Sequence, residues 1–352
     1  MNEILRYLAA ASEKHTFSDA HIEQDRPLKL RLPGGWDESD YGLVTQDDLR
    51  TFLEAIDPAW KPKLNKGMSL SKTIDLADMK MADIRYRCFA YTIDGGNRVA
   101  ASMRPIRRMP ISLEKLGLPP LALTFAKSPK GLLLVTGPTG SGKTTTIMAL
   151  LTKILSTRRV HAVTIEDPIE YILSEGEGIT SQREVGIDTV SFAEGLKEAV
   201  RQRPDVIMVG EIRDHDTAAT ALRAAESGHF VVATMHARSA VGALQKLKDM
   251  AAADSSAIGY ALIGVLAQTL VPAKDGSALV LGCELLNCLE REVQGKVIEQ
   301  KWSALEDMLK RGEKGCVSLN KSLSELIKRN IISREDALTA AYDPATISSQ
   351  LL

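Results

Sequence analysis

The sequence has few aromatic residues and no excess of charge of either sign. Phe, Trp and Tyr make up 5% of its 352 residues, and 44 Lys and Arg residues stand against 45 Asp and Glu residues, for a net charge of -1. Nucleic-acid binding relies on a basic surface and often on exposed aromatic rings. Nucleic acid is therefore not the expected partner, and a nucleic-acid translocase is an alternative that the composition disfavours.

Long hydrophobic runs and paired cysteines are also lacking. The longest apolar stretch, 257–270, is shorter than the roughly 20 residues that cross a bilayer and includes Gly264 and Gln268. The first 19 residues carry no basic segment ahead of an apolar run, which disfavours a signal peptide and predicts a cytoplasmic protein. The four cysteines have no C-x-x-C spacing, so we expect reduced, structural thiols.

Residues 1–105 predict a small α/β domain that has no phosphate-binding signature. Helical spacing runs over residues 4–11, and residues 20–32 alternate as two half-buried strands do. Alternation returns in 83–103, where the turn Asp-Gly-Gly-Asn joins two strands as in a β-hairpin. This pattern indicates a small antiparallel sheet with two helices.

The sequence after residue 105 predicts a linker, a larger α/β domain and a helical tail. Residues 106–130 are rich in proline, which breaks long helices and suits a linker and hinge between domains. From 131 to 290, buried apolar strands alternate with helices, which indicates a largely parallel sheet covered by helices. Residues 291–352 have helical spacing, with Ser333 as a predicted N-cap.

A G-x-x-x-x-G-K-[ST] motif lies between the buried strand 132–136 and a helix that begins near Thr144. Its glycines let backbone N–H groups surround phosphates, Lys143 brings a positive charge to the β and γ oxygens, and the Thr144 hydroxyl can bind Mg²⁺. ATP and Mg²⁺ are therefore the expected ligands. The residues predicted to bind ATP are Gly137, Pro138, Thr139, Gly140, Ser141, Gly142, Lys143, Thr144 and Thr145.

Two groups of carboxylates follow buried strands and indicate hydrolysis rather than binding alone. Glu211 ends the apolar segment 205–211, where a parallel sheet presents groups to a ligand, and it is expected to bind Mg²⁺ or a water. Glu166, Asp167 and Glu170 end another strand, and one of them is the expected base that orients the attacking water. A scaffold that only binds nucleotide, which is an alternative, has no use for such a base.

Two histidines, His229 and His236, bracket the apolar strand 230–235. A metal site would need further ligands and a shorter separation, so we do not expect one. An imidazole near a phosphate can respond to the loss of the γ-phosphate, and one of the two is a candidate sensor or subunit contact. A structural role is the alternative.

Six segments, taken together, resemble the sequence boxes of a known family. In chain order they are SDAHI, TGPTGSGKTTT, TIEDPIEY, SQREVG, RPDVIMVGEIRD and AAESGHFVVATMHARSA. They are similar to the type II/IV secretion ATPase superfamily in its PilT/GspE branch, including its Walker A, aspartate, Walker B and histidine boxes. The resemblance implies an N-terminal PAS-like α/β domain and a RecA-like P-loop ATPase domain with a helical C-terminal tail.

The resemblance also implies roles for individual residues. Glu170 corresponds to the catalytic acidic residue of the aspartate box, Glu211 lies in Walker B, and His229 and His236 lie in the histidine box. The family forms homohexamers in which the N-terminal domain of one subunit closes over the nucleotide of the next.

Three arginines of the N-terminal domain, Arg87, Arg98 and Arg104, fall where the family's phosphate-binding arginines would lie. A guanidinium group stabilises negative charge that develops on a transferring phosphoryl group, which is the physical reason to consider them catalytic. An exposed strand arginine is the alternative for each of the three.

The resemblance to one branch of the family favours one biological function over the others. Assembly-type members usually carry a tetracysteine zinc motif and a long N-terminal extension, which this chain lacks, although residues 304–310 match the retraction branch's A-I-R-N-L-I-R-E stretch only loosely. We expect a hexameric motor that couples ATP hydrolysis to type IV pilus retraction. It would be peripheral at the inner membrane through a platform protein. The alternative is the ATPase of a type IV secretion or conjugation apparatus.

Overall fold

The computed structural model describes residues 2–14, 17–32, 35–77, 84–106, 111–174, 176–276, 278–345 and 347. The chain folds as two compact units, each with its own hydrophobic core. The N-terminal unit comprises Met1–Met109 together with the short segment Glu170–Ile172. The C-terminal unit comprises Pro110–Ile169 and Leu173–Leu352.

The described residues of the N-terminal unit form a six-stranded antiparallel sheet and three α-helices. Its strands are β1 (Asp19–Glu23), β2 (Pro27–Leu32), β3 (Gly35–Leu43), β4 (Leu70–Asp75), β5 (Arg85–Ile93) and β6 (Arg98–Ile106), in the order β3-β2-β1-β6-β5-β4. Its helices are α1 (Glu3–Lys14), α2 (Gln46–Ile56) and α3 (Trp60–Leu64). The expectation of two helices was wrong. The third helix, α3, was missed because it is short and only Leu64 in it is buried, so its sequence shows no amphipathic pattern.

Alternation along the strands separates a buried face of this sheet from an open one. Tyr86, Cys88 and Ala90 of β5 are fully buried and pack in the core with α1 and α2, while the residues between them, such as Arg87, point to the other face. The β5–β6 hairpin was predicted correctly. Asp83, at which the predicted alternation begins, lies outside the described residues.

The C-terminal unit is built on a seven-stranded sheet in the order β13-β12-β7-β11-β10-β8-β9, in which every neighbouring pair is parallel except β12 and β13. The strands are β7 (Gly131–Thr136), β8 (His161–Glu166), β9 (Ile179–Glu184), β10 (Val206–Val209), β11 (Phe230–Met235), β12 (Leu262–Pro272) and β13 (Leu279–Asn287). The helices are α4 (Lys143–Thr157), α5 (Phe192–Val200), α6 (His215–Glu226), α7 (Ala240–Ala251), α8 (Ser255–Ala261), α9 (Arg291–Ile298), α10 (Trp302–Arg311), α11 (Leu319–Lys328) and α12 (Arg334–Ala340).

The strands that carry the predicted motifs are continuous apolar runs because they are covered on both faces. All residues of β7, β10 and β11 are buried, and each of these strands has parallel neighbours on both sides. The helical tail is present as predicted, and Ser333 caps α12 by accepting a hydrogen bond from the Asp336 amide at 3.0 Å.

Residues 111–130, the described part of the predicted linker, belong to the C-terminal unit and form two short 3₁₀ segments, Leu113–Lys115 and Pro120–Lys127. Phe125 is fully buried there, so this stretch is packed against its unit. The apolar run 257–270 divides into the end of α8 and most of β12. Within the described ranges, no helix is long and apolar enough to cross a bilayer.

Candidate active site

The P-loop connects the end of β7 to the start of α4, and its glycines have two different functions. Gly137, Gly140 and Gly142 have φ angles of 148°, 80° and 83°, a region that side chains disfavour. A Cβ atom on Gly137 would lie 2.3 Å from the backbone oxygen of Gln268, whereas nothing lies within 4 Å of one on Gly140. Gly137 is thus required because a side chain would collide with β12. Gly140 is favoured only because of its positive φ angle.

Lys143 begins α4 and folds back over the loop. Its Nζ donates hydrogen bonds of 2.9 Å to the backbone oxygens of both Gly137 and Pro138. Burial lowers the pKa of Lys143, and the Glu211 carboxylate acts in the opposite direction. The lysine therefore holds its charge at the mouth of the loop, where a phosphate would lie.

The loop fits the phosphates of a nucleotide. The Ser141 hydroxyl oxygen is buried and has no hydrogen-bond partner among the described residues, so it can bind a ligand oxygen. The N-terminus of α4, a helix of 15 residues, adds the backbone N–H groups and the dipole that favour an anion. Of the other predicted ligands, Pro138, Thr139 and Gly140 are exposed, and Gly142, Thr144 and Thr145 are half-buried.

Glu211 follows β10 and is the centre of a polar cluster at this edge of the sheet. Its Oε1 lies 3.2 Å from His236 Nε2, and its Oε2 accepts from Arg213 Nη2 at 2.7 Å. The other ring nitrogen of His236 lies 3.3 Å from the backbone oxygen of Gly137. The structure thus brings His236 and Glu211, predicted from separate motifs, to the first residue of the P-loop.

Arg213 is a member of this cluster that the sequence analysis missed. Its guanidinium lies 5.8 Å from the centre of the Phe192 ring and 3.9 Å from Asp167, in addition to its contact with Glu211. The hydrogen bond to Glu211 raises the pKa of Arg213. The signal was available, because Arg213 lies two residues after Glu211 in the segment RPDVIMVGEIRD.

The carboxylates of the TIEDPIEY segment are separated by the fold. Glu166 ends β8 in the C-terminal unit, is 2% exposed, and accepts hydrogen bonds from Thr164 Oγ1 at 2.6 Å and Gln182 Nε2 at 3.0 Å. Glu170 belongs to the N-terminal unit, where its backbone oxygen accepts from Arg85 at 3.3 Å. The choice of Glu170 as the base stays a prediction.

His229 lies at the opposite end of β11 from His236. Its Nδ1 is 3.0 Å from the backbone oxygen of Ala224, near the end of α6, and 3.1 Å from Ser227 Oγ. The structure therefore does not bring His229 to the P-loop of its own chain. Its predicted catalytic role would require a contact made by another subunit.

The three arginines lie on the N-terminal sheet in unequal positions. Arg87 and Arg104 are directly opposite each other on β5 and β6, and Arg98 lies six residues from Arg104, roughly 20 Å along the strand. Arg104 pairs with Asp19 at 2.9 Å, while Arg98 pairs with Glu23 at 2.7 Å and Asp94 at 2.5 Å. One phosphoryl group could meet Arg87 and Arg104 together, but not with Arg98.

Comparison with known proteins gives matches over most of the chain. The model of the family described as type II/IV secretion system protein matches residues 68–339. A twitching motility protein of Neisseria gonorrhoeae is 36% identical over 270 residues, which are 75% of this chain and 71% of that protein. The type IV pilus retraction ATPase PilT of Pseudomonas aeruginosa is 32% identical over 347 residues, which are 96% of this chain and 98% of that protein.

Solved structures agree with these matches. The crystal structure of the pilus retraction motor PilT with bound ADP gives a TM-score of 0.87 at 33% identity, covering 98% of this chain and 99% of that one. The ATPase DotB of Legionella pneumophila gives a TM-score of 0.82 at 24% identity, covering 96% and 95%, which is a likeness of fold. The fold class and the resemblance predicted from the sequence are confirmed.

Proposed function

The chain belongs to the type II/IV secretion system protein family, and we propose that it is the motor that retracts a type IV pilus. It is an ATPase, as relatives in this family are named, and the similar PilT structure holds ADP. Retraction is favoured because the PilT relative matches almost end to end, in sequence and in fold. The likeness to DotB concerns the fold alone, so a secretion or conjugation ATPase is the second choice.

The observation that carries the proposal is the contact of the Glu211–His236 pair with the P-loop. Glu211 follows β10, His236 follows β11, and His236 reaches the backbone oxygen of Gly137. A residue that contacts both the loop and the carboxylate is well placed to respond when the γ-phosphate leaves. Through this pair, ATP hydrolysis would be coupled to a conformational change of the chain.

ATP binding would change the hydrogen bonds of Lys143. Its ammonium group would exchange the backbone oxygens of Gly137 and Pro138 for β and γ phosphate oxygens, and the Ser141 hydroxyl would gain a partner. Mg²⁺, when bound, would neutralise phosphate charge, held by the Thr144 hydroxyl and by Glu211 directly or through water.

Glu170 remains our proposed base for the attacking water, and Arg87 and Arg104 our proposed arginines for the phosphate of a neighbouring subunit. We therefore propose a homohexamer in which the N-terminal unit of one copy completes the site of the next. A guanidinium group placed at the developing charge raises the rate by a large factor. The partner would be an inner-membrane platform protein, which would hold the motor at the cytoplasmic face of that membrane.

The enzymatic proposal is tested by measuring ATPase activity across size-exclusion fractions. We expect activity to follow a species near six subunits, and Lys143→Ala and Glu170→Gln to abolish it. Equal turnover by the monomer would refute the inter-subunit site.

The retraction proposal is tested in a strain of the host that lacks the gene. Extended pili should accumulate on the cell surface and twitching should stop, while protein secretion continues. Normal twitching combined with lost secretion or conjugation would exclude retraction and favour the alternative.

A further inference from the structure

A cavity of about 840 Å³ lies in the C-terminal unit beside the P-loop, and none of the steps above uses it. Residues of β12 and β13 line it together with the first turns of α7 and α11, one side of α10, and the end of α12. Pro138 of the P-loop also lines the cavity. Its volume is in the range of sites that bind small molecules.

The buried part of the lining combines apolar side chains with hydrogen-bond acceptors. Gln268 and Asn320 are 3% and 7% exposed, and the side-chain oxygen of each has no partner among the described residues. The Asn320 amide nitrogen donates to the backbone oxygen of Asp343 at 2.8 Å, which fixes its oxygen as the atom left to accept. Glu284 of β13 is also buried, and its carboxylate accepts a hydrogen bond from the Ala240 amide at 2.7 Å.

The exposed part of the lining includes charged side chains. Arg238 precedes α7, and Lys310 lies on α10, one turn after Glu306. All three side chains are exposed, and no ion pair of Arg238 or Lys310 is seen in the part of the chain that the structure describes. A ligand would thus meet two cations at the mouth, beside the carboxylates of Glu306 and Asp343, and amide oxygens that still lack a donor deeper in the cavity.

We propose that this cavity binds a small zwitterion, whose amine or guanidinium group donates to Gln268, Asn320 and Glu284 and whose acidic group meets Arg238 and Lys310. A buried amide oxygen without a donor is costly, and a cationic donor forms the stronger kind of hydrogen bond. A neutral apolar molecule would leave these oxygens unsatisfied. An anion alone would face the Glu284 carboxylate.

Gln268 would connect this cavity to the nucleotide site. Its Nε2 donates to Thr146 Oγ1 of α4 at 2.8 Å, and its backbone oxygen lies against Gly137. A ligand bound to the same side chain would therefore change the packing of the P-loop helix. By linkage, a ligand that alters the affinity for ATP must have its own affinity altered by ATP to the same degree.

Because of Glu284, ligand binding should be accompanied by the release of protons. Burial raises the pKa of this carboxyl to about 7, so it is partly protonated at neutral pH. A cation bound beside it favours the ionised form and expels a proton. The other ionisable groups that face it or line the cavity with it are Arg238, Cys283, Glu306, Lys310, Cys316, Tyr342 and Asp343.

The experiment is calorimetric titration of the whole nucleotide-free protein with L-arginine, agmatine and L-citrulline. We expect L-arginine to bind and to release protons near pH 7, seen as heats that differ between buffers of different ionisation enthalpy. Agmatine lacks the carboxylate, and citrulline has a neutral ureido group in place of the guanidinium, so each should bind about tenfold more weakly. Because ATP is absent, this test is independent of the pilus function proposed above.

Variants assign the binding to this cavity. Asn320→Leu should weaken L-arginine about tenfold, and Lys310→Glu, an exposed change that leaves folding intact, should weaken L-arginine but not agmatine. Asp307→Asn, on the same helix outside the lining, is the matched control and should bind as wild type does. No binding of L-arginine, or binding that Asn320→Leu and Lys310→Glu leave unchanged, would overturn the proposal.

Discussion

Glu211 Oε1 and His236 Nε2 lie 3.2 Å apart, and this contact joins the ends of two neighbouring parallel strands, β10 and β11. Glu211 is largely buried, with 16% of its side chain exposed, and Arg213 holds its second oxygen. The carboxylate is therefore fixed from both sides. Its orientation relative to the P-loop depends on these two neighbours.

Replacement of His236 by Ala should lower kcat for ATP hydrolysis about tenfold to a hundredfold, with a small effect on KM. The change removes one of two groups that orient Glu211, together with the imidazole contact to the Gly137 backbone oxygen, and leaves every P-loop side chain in place. His229→Ala is the matched control, because that imidazole lies at the far end of β11. Equal losses in kcat would mean that His229 serves the site of a neighbouring subunit.

Two glycine substitutions in the P-loop should differ in their cost. Gly137→Ala brings a Cβ to 2.3 Å from the Gln268 oxygen and 2.5 Å from Ser141 Oγ, whereas Gly140→Ala meets nothing within 4 Å. Both residues have positive φ, so the difference reports the collision. We expect Gly137→Ala to lower the free energy of unfolding by several kcal/mol and Gly140→Ala by about 1 kcal/mol, measured by denaturant titration. Equal costs would contradict this packing of β12 against the loop.

The register of β5 and β6 ranks the three arginines. Arg87→Ala and Arg104→Ala should each lower kcat about a hundredfold or more, since the two lie opposite each other and can act on one phosphate. Arg98→Ala should lower it far less, because Arg98 lies roughly 20 Å along the strand from Arg104. Steady-state ATPase assays on assembled rings measure all three. A dominant effect of Arg98→Ala would reverse the ranking.

Glu170→Gln should abolish ATP turnover and leave ATP binding intact, because the change removes a base and keeps the side-chain size. Glu166→Gln is the informative companion, since Glu166 accepts hydrogen bonds from Thr164 and Gln182 that a Gln oxygen can also accept. Single-turnover assays with bound ATP separate chemistry from binding. If Glu166→Gln alone stops turnover, the base is Glu166.

Stability should depend on pH through Glu284. Its pKa is raised from 4.5 to about 7 by burial, so the folded state holds the proton more tightly than the unfolded state does. The stabilisation is complete below about pH 4.5 and is lost as the pH rises to about 7, an effect of about 3 kcal/mol. Glu284→Gln should flatten this part of the melting profile, whereas Asp307→Asn, an exposed change on α10, should not. An unchanged profile in Glu284→Gln would show that the carboxyl is ionised in the folded protein.

The sequence predicted best those elements whose pattern is set by burial on both faces. The strands β7, β8, β10 and β11 are continuous apolar runs, and the P-loop between β7 and α4 has a strict spacing. These features depend only on neighbours along the chain. Ser333 was found for the same reason, because a helix N-cap is a local device.

The parts that the sequence did not predict depend on contacts between distant segments. β3 was missed because all of its side chains are exposed or half-buried, so it has no apolar alternation. The contacts of Arg213 with Phe192 and Asp167, and the distance of His229 from the P-loop, depend on how separate segments pack. The cavity of Gln268 and Asn320 joins residues from β12 and α11 that share no motif.

The full burial of β7 between β11 and β12 has a consequence for amide hydrogen exchange. Every residue of β7 is inaccessible, and its backbone is paired along both edges, so its amides should exchange only when the whole C-terminal unit unfolds. The P-loop therefore extends from one of the slowest-exchanging strands of the unit. Local opening during ATP turnover must occur in segments that exchange faster, such as the half-exposed edge strand β9, while β7 acts as the fixed frame.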